Sequence, residues 1–411
     1  MRLSYVIVTR NRRASLLRVL DRIEDCTPLP RDAWDVLVVD NASTDGTLEA
    51  VRRAHPSVSV IRRARNEGVW ARTCGIEAAA GQYVVLLDDD SYPSANAVAR
   101  SLQYLDRHQG TAAVVGRIVL PDGGPEACAM PAVMLSGAVC ARRDALLQVG
   151  GFRREFFRKA GEYDLSFRLW DAGHRIERFD DIVYRHDKVL SGRDAALAHR
   201  MDVRNNLILV SRFLPAPLRR VYWRDWALRY GALARHAGHG AAARRGLWEA
   251  RGWRLREAVL GRQTLRPQTI QTVFDLDGQS RRIVYWARQQ GVKKVVLADL
   301  SKNLYATYAA SIHAGLKIVA VADNASAFEG LSYRGLSILP DDAALKRAPD
   351  GIALSNVNPA QVDRRLEQLR ARFDGPILRL WEPRLMSAAD ADRVAPLTPA
   401  RGVEARHRAV A

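Results

Sequence analysis

The sequence predicts an α/β protein in which a basic helical connector joins two sheet-containing units. Short runs rich in Val, Ile and Leu alternate with helix-like stretches through the first 110 residues or so, and the same alternation returns near residue 268. A stretch rich in arginine and tryptophan separates the two. Such alternation is typical of parallel sheets flanked by helices. Four parts are therefore predicted, the last a disordered tail: 1–210, 211–267, 268–385 and 386–411.

The first unit is predicted to contain four parallel strands with helices between them. The predicted strands are apolar runs at residues 3–9, 34–40, 58–62 and 83–88. The predicted helices are at residues 15–25, 47–54 and 69–80. The first helix has Leu16, Leu20 and Ile23 at helical spacing. Beyond residue 110 the pattern loosens, which predicts an antiparallel extension that forms an acceptor face.

The connector holds much of the basic charge. The chain has a net charge of +18 and a pI near 10.3, which favours an anionic partner. Residues 212–266 contain thirteen arginines against three acidic residues, together with four tryptophans. Arginine interleaved with tryptophan favours the surface of an anionic membrane. A helical bundle that packs its tryptophans between the units is the alternative, and no nucleic-acid motif accompanies the charge.

Residues 268–385 predict a second, smaller Rossmann-like unit. Its predicted strands are at residues 294–299, 317–322, 352–355 and 376–380. The first of these ends in Asp299-Leu300-Ser301 and lacks the GxGxxG that brings backbone close to a pyrophosphate. The unit resembles the small nucleotide-binding domains of bacterial sugar-modifying enzymes, which implies docking or regulation and no second active site.

The composition predicts a folded cytoplasmic protein. Hydrophobic residues make up 48% and charged residues 26% of the chain, and its four cysteines form no CxxC pair. The apolar run at residues 3–9 is interpreted as a strand because no cleavage site follows it. No run approaches the length of a transmembrane helix.

Three consecutive carboxylates, Asp88-Asp89-Asp90, follow the apolar run 83–87. Ligands of open α/β sheets bind beyond the carboxyl ends of the strands. Carboxylates this close repel unless a cation neutralises them, and their oxygens favour Mg²⁺ or Mn²⁺. An acidic turn that caps the next helix is the alternative.

Four motifs follow predicted strands in a fixed order. They are Val8-Thr9-Arg10-Asn11-Arg12, the segment 39–47, the segment 65–72 and Leu87-Asp88-Asp89-Asp90. At these residues, region 1–210 resembles the family 2 glycosyltransferases. The resemblance implies the A-type glycosyltransferase fold, a Rossmann-like sheet that binds a nucleotide sugar, fused to an acceptor region.

The resemblance also implies roles for individual residues. The substrate-binding residues it implies are Thr9, Asn11, Arg12, Asp40, Asn41, Asn66, Gly68, Arg72, Asp88 and Arg193. The metal ligands it implies are Asp90, Asp88 and His186, with Mn²⁺ or Mg²⁺ as the cofactor. Asp89 is then a bystander, and His186 has a structural hydrogen bond as its alternative role.

The catalytic base implied by the resemblance is Glu162, with Asp164 as the second candidate. An inverting transfer needs a carboxylate that takes the proton of the acceptor hydroxyl. The family commonly has an aspartate at this position. Both carboxylates could instead stabilise the N-terminus of the following helix.

The function implied is an inverting, metal-dependent glycosyltransferase of the hexosyltransferase type. Its donor would be a nucleoside diphosphate sugar, and its acceptor a glycan or lipid-linked molecule of bacterial cell-surface glycan synthesis. It would act in the cytoplasm, at the inner face of the plasma membrane. A sugar-nucleotide-binding scaffold and a nucleotidyltransferase are the alternatives; the second lacks support because no Gly-rich loop follows the first strand.

Overall fold

The computed structural model describes residues 1–188 and 194–386. Within them the first unit is built on a mixed nine-stranded sheet. Its strands are β1 (Leu3–Thr9), β2 (Trp34–Asp40), β3 (Ser59–Arg62), β4 (Tyr83–Asp88), β5 (Ser91–Pro93), β6 (Thr111–Val119), β7 (Pro125–Glu126), β8 (Val139–Arg142) and β9 (Arg175–His186). Its helices are α1 (Arg13–Cys26), α2 (Thr47–Ala54), α3 (Ala71–Ala78), α4 (Ala97–Arg107), α5 (Arg143–Gln148) and α6 (Gly161–Asp171). The predicted α/β class is confirmed.

The strand order is β3-β2-β1-β4-β8-β6-β9-β5, with β7 paired to β6. The first four strands run parallel, as predicted. Register pairs Thr9 with Asp40 and Val8 with Asp88, so three strands end at one edge. The predicted antiparallel extension is present in β8, which pairs antiparallel with β4 and β6, whereas β9 runs parallel to β6.

The central strands are continuously apolar because helices cover both faces of the sheet. Along β1, Tyr5 and Ile7 pack in one core with α1, while Val6 packs in a second core with Ile76 of α3 and Leu165 of α6. Successive side chains of a strand point to opposite faces, so a strand between two cores has no polar side.

Three long helices follow this unit: α7 (Ala195–Phe213), α8 (Ala216–His236) and α9 (Gly240–Leu260). The predicted boundary at residue 210 falls inside α7. Trp226 is buried and donates its Nε1–H to the carbonyl oxygen of Lys302 at 2.7 Å, whereas Trp248 is 74% exposed. The connector therefore both packs against the second unit and presents tryptophan to solvent. Among the described residues, no helix combines the length and apolar character that a membrane crossing requires.

The second unit has a six-stranded sheet within the described residues, ordered β12-β13-β11-β10-β14-β15. Its strands are β10 (Lys294–Ala298), β11 (Lys317–Ala322), β12 (Ser332–Tyr333), β13 (Leu336–Leu339), β14 (Gly351–Leu354) and β15 (Ile377–Arg379). Its helices are α10 (Pro267–Phe274), α11 (Leu276–Gln290), α12 (Leu304–His313), α13 (Asp341–Leu345) and α14 (Val362–Arg370). All pairs except β12–β13 are parallel. The helix expected from residue 269 to 290 is broken at Asp275, whose φ is +53°.

Candidate active site and metal centre

The carboxyl ends of β1, β2 and β4 bring polar side chains to one edge of the first sheet. Thr9, Asp40 and Asp88 are the last residues of these strands. Because the strands are parallel and in register, the three residues lie side by side at this edge. A cluster of polar groups therefore lies at the strand ends, where a ligand site was predicted.

A three-residue cluster at this edge could bind a metal ion. Asp88, Asp90 and His186 each offer a ligand atom, and these atoms lie within 4.8 Å of one another. His186 is the last residue of β9 and pairs with Ser91 of the short strand β5. Through this antiparallel pair, His186 lies against the acidic turn 88–90, although it is nearly 100 positions further along the chain.

His186 lies between two carboxylates. Its Nδ1 is 2.7 Å from Oε2 of Glu126, and its Nε2 is 3.0 Å from Oδ1 of Asp90. Burial opposes the charged imidazolium, but Asp90 and Glu126 raise the pKa of His186 to about 10.

The donor set fits a divalent cation. Nε2 of His186 is buried and lacks an aligned hydrogen bond, although Asp90 is close. A buried ring nitrogen without a hydrogen bond, aimed at a carboxylate pair, is suited to a metal ligand. Glu126 would fix the other ring nitrogen, as carboxylates commonly do for metal-binding histidines. Oxygen donors suit Mg²⁺ and Mn²⁺, and an imidazole donor suits transition metals.

Asp88 is also held by an arginine. Arg72 of α3, buried with 6% exposure, forms an ion pair with Oδ1 of Asp88. The backbone N–H of Asp88 donates to Oγ of Ser91 at 2.8 Å. Arg72, expected to contact the substrate, therefore orients one of the candidate metal ligands in this structure.

Asp89, expected to be a bystander, joins the acidic turn to the first strand. Oγ1 of Thr9 donates to its Oδ2 at 2.8 Å. Burial and the charge of Asp90 raise the pKa of Asp89 to about 7, while Arg12 acts in the opposite direction. Two residues expected to contact the substrate, Thr9 and Arg12, therefore surround Asp89.

Two asparagines expected to contact the substrate bind each other. Nδ2 of Asn41 donates to Oδ1 of Asn66 at 2.9 Å and to the carbonyl oxygen of Gly68 at 3.2 Å. Gly68 has φ +61°, and a Cβ there would lie 1.9 Å from the carbonyl oxygen of Phe157. Only glycine fits this position. These residues shape the loop that walls the site.

A hydrogen bond also joins the loop after β1 to the loop after β2. Oδ1 of Asn11 accepts from the backbone N–H of Thr44 at 2.7 Å. Asp40 is buried, and its Oδ1 accepts from the backbone N–H of Ser43 at 3.1 Å. Arg193, the remaining residue of the expected substrate set, lies outside the described residues.

Glu162 lies at the start of α6 and is close to the metal cluster. Its Oε1 accepts from Oγ of Ser136 at 2.8 Å. The next residue, Gly137, is so close to the cluster that a Cβ there would lie 3.1 Å from Oδ2 of Asp88. Residues 136–137 therefore lie between Glu162 and Asp88.

Asp164 does not fit the role of second candidate base. It is fully buried and accepts from Arg168 at 2.6 and 2.9 Å. Arg212 of α7 and Arg153 lie 3.4 and 3.5 Å away. A carboxylate enclosed by three guanidinium groups holds structure together and has no room for an acceptor hydroxyl. Glu162 therefore stays the first candidate for the base.

Glu126 is the residue that sequence reasoning missed. It belongs to the two-residue strand β7, in a Pro/Gly-rich stretch without a motif, and it reaches His186 only through the pairing of β7 with β6. Its second oxygen lies 3.4 Å from Nζ of Lys188. The presence of an acidic residue in a loop was the sole available signal.

The first unit is similar in sequence to known glycosyltransferases. Residues 4–131 match the family model described as Glycosyl transferase family 2. Glycosyltransferase AglE of Haloferax volcanii is 25% identical over 203 residues, which cover 44% of this chain and 66% of that protein. The poly(ribitol-phosphate) beta-glucosyltransferase of Bacillus spizizenii is 28% identical over 114 residues, covering 26% of this chain and 18% of that protein. The chain thus spans less than two thirds of either relative.

A solved structure shares the fold. TarS 1–349 of S. aureus, solved in complex with UDP-GlcNAc, matches with a TM-score of 0.50 and 16% identity, over 82% of this chain and all of that one. The first unit therefore has the A-type glycosyltransferase fold, and residues 4–131 are similar to the family 2 glycosyltransferases.

Proposed function

We propose that this chain is a family 2 glycosyltransferase that transfers a sugar with inversion from a nucleoside diphosphate donor to a glycan or lipid-linked acceptor. The observation that carries the proposal is the cluster of Asp88, Asp90 and His186 at the carboxyl edge of the first sheet. It lies beside Thr9 and Asp40, where a nucleoside needs fixed polar groups.

Asp90, Asp88 and His186 would hold Mn²⁺ or Mg²⁺. When bound, the ion would neutralise negative charge on the diphosphate leaving group. Arg72 keeps Asp88 in place, and Glu126 keeps the His186 ring oriented with Nε2 toward Asp90. Two of the three candidate ligands, Asp88 and His186, thus have a partner that fixes them before the substrate arrives, which reduces reorganisation during the reaction.

Glu162 is proposed as the base. Ser136 donates to one of its oxygens, and among the described residues no hydrogen bond reaches the other. That free oxygen would take the proton of the acceptor hydroxyl as its oxygen attacks the anomeric carbon from the face opposite the diphosphate.

The proposed site of action is the cytoplasmic face of a membrane, in cell-surface glycan synthesis. The proposed acceptor class includes lipid-linked glycans, and the helices after β9 are strongly basic. The second unit, proposed to be Rossmann-like, would dock partners or the acceptor.

Donor turnover tests the proposal. The full chain is incubated with Mn²⁺, an acceptor extract and a panel of nucleoside diphosphate sugars, and the released nucleoside diphosphate is measured. One donor should be consumed, and Asp90→Ala should abolish its consumption. Asp122→Asn, which changes the charge of an exposed residue in the β6–β7 loop, is the control. Full activity of Asp90→Ala would refute the metal site. Donor binding without transfer would favour a scaffold.

A further inference from the structure

Helix α9 exposes an unusual amount of apolar surface. Eight large hydrophobic residues among the described residues are exposed, and four of them lie between positions 248 and 260. Their exposed fractions are 74% for Trp248, 70% for Leu255, 83% for Val259 and 70% for Leu260. An apolar patch of this kind on one helix marks an interaction surface.

The apolar residues share one side of α9 with arginines. Positions 244, 248, 251, 255 and 259 are spaced by three or four residues, so they fall on one face of the helix. This outer face consists of Arg244, Trp248, Arg251, Leu255 and Val259, all exposed. It alternates cationic and apolar side chains along more than four turns.

The opposite side of α9 packs against the protein. Its buried residues include Ala243, Gly246 and Ala250. A Cβ at Gly246 would lie 2.4 Å from the carbonyl oxygen of Arg200 in α7. This close approach fixes the rotation of α9, so the outer face must point to solvent.

The acidic residues of α9 do not balance its outer charge. Glu249 pairs with Arg200, and Glu257 is buried against Arg212. Within residues 1–188 and 194–386, no ion pair neutralises Arg244 or Arg251. The outer face therefore presents apolar groups together with unbalanced positive charge.

We propose that the outer face of α9 binds the surface of an anionic lipid bilayer. Tryptophan and leucine would enter the boundary between headgroups and acyl chains, and the arginines would meet lipid phosphates. A symmetric contact with a second copy is disfavoured because the outer face has no acidic side chain that could pair with the arginines of the other copy.

Beside this face is a groove of about 1040 Å³. Trp248 and Leu255 line it on one side, and Arg154 lines it on the other. The Arg154 guanidinium stacks 3.2 Å from the centre of the Trp70 ring, next to Gly68 of the candidate site. Bilayer binding through α9 would bring lipid close to the catalytic unit.

Vesicle cosedimentation of the full chain, without substrates, tests this inference independently of the transferase activity. The vesicles contain phosphatidylcholine alone or phosphatidylcholine mixed with phosphatidylglycerol. We expect binding only to the anionic vesicles, weakened by salt. Since each arginine near an anionic surface contributes about 1 kcal/mol, Arg244→Gln/Arg251→Gln should lower the partition coefficient about thirtyfold.

Two further variants make the test specific. Trp248→Ser/Leu255→Ser should also lose binding, whereas Tyr285→Ser/Ile312→Ser, which changes two exposed residues of the second unit, should retain it. Circular dichroism melts check that all variants fold. Equal binding by every variant, or absence of binding by the parent, would overturn the proposal. A dimer that α9 variants dissociate, without vesicle binding, would assign the face to a second copy.

Discussion

Replacing Glu126 by glutamine tests how the candidate metal centre is organised. Oε2 of Glu126 lies 2.7 Å from Nδ1 of His186, and Oε1 lies 3.4 Å from Nζ of Lys188. Burial opposes its ionisation, but His186 and Lys188 together lower the pKa of Glu126. Glutamine keeps the shape and removes the charge that polarises the imidazole.

The expected effect is a weaker metal site in a folded protein. Loss of a partner behind a metal ligand commonly lowers metal affinity by about 10- to 100-fold. This corresponds to about 1.4–2.8 kcal/mol of binding free energy. Because Glu126 is partly exposed, we expect a value toward the lower end of that range.

Electron paramagnetic resonance of free Mn²⁺ gives the dissociation constant without relying on activity. Asp122→Asn is the matched control because it removes one negative charge four positions away, from an exposed residue of the β6–β7 loop. Its affinity should equal that of the parent. Unchanged Mn²⁺ affinity in Glu126→Gln would refute the argument that His186 is a ligand oriented by Glu126.

Four other substitutions probe the base, the helix packing and a buried lysine. Glu162→Gln should lower transfer by roughly 10²–10⁴-fold with unchanged donor affinity by calorimetry, and undiminished transfer would exclude it as the base. Denaturant unfolding measures the packing of α9. Gly246→Ala should lower the free energy of unfolding by about 1–3 kcal/mol because its Cβ would meet backbone, whereas Gly252→Ala has open space and should raise it by about 0.5–1 kcal/mol. The reverse order would contradict the packing of α9. Burial lowers the pKa of Lys302 to about 7, below its usual 10.5, so between these values the unfolded chain binds more protons and stability rises with pH. Lys302→Met also removes the hydrogen bond from Nζ to Oδ1 of Asn206, so the prediction concerns the pH dependence: the change in Tm should be more favourable at about pH 6 than at about pH 10, and equal changes would contradict this reasoning.

The edge of the first sheet was predictable because it depends on local patterns. Each of the strands β1, β2 and β4 is an apolar run that ends at a polar residue, and parallel strands must bring these ends together. Thr9, Asp40 and Asp88 thus fall at one edge without knowledge of the helices that cover the sheet.

The partners of the site residues depend on contacts between distant segments and were not predictable. Glu162 and Asp164 are two positions apart at the start of one helix. Only Asp164 pairs with Arg212, which lies 48 positions further along the chain. Glu126 meets His186 across 60 positions. Local sequence contains no signal of such pairings.

The tryptophans of the connector show the same limit. Their composition left two alternatives open, a membrane surface and packing between the units, and the structure contains both a buried and an exposed tryptophan. Trp226 is buried against Lys302, while the packing of Gly246 on α7 leaves Trp248 in solvent. The rotation of each helix decides whether its tryptophans are buried or exposed. Tertiary contacts determine that rotation.

The most direct test of the central claim is an anomalous difference map from crystals of the full chain grown with Mn²⁺ and the nucleoside diphosphate of its donor. We predict a manganese peak at Asp90, Asp88 and Nε2 of His186, beside the diphosphate. A bound nucleotide with no peak at these residues, or a nucleotide away from the carboxyl ends of β1, β2 and β4, would contradict it.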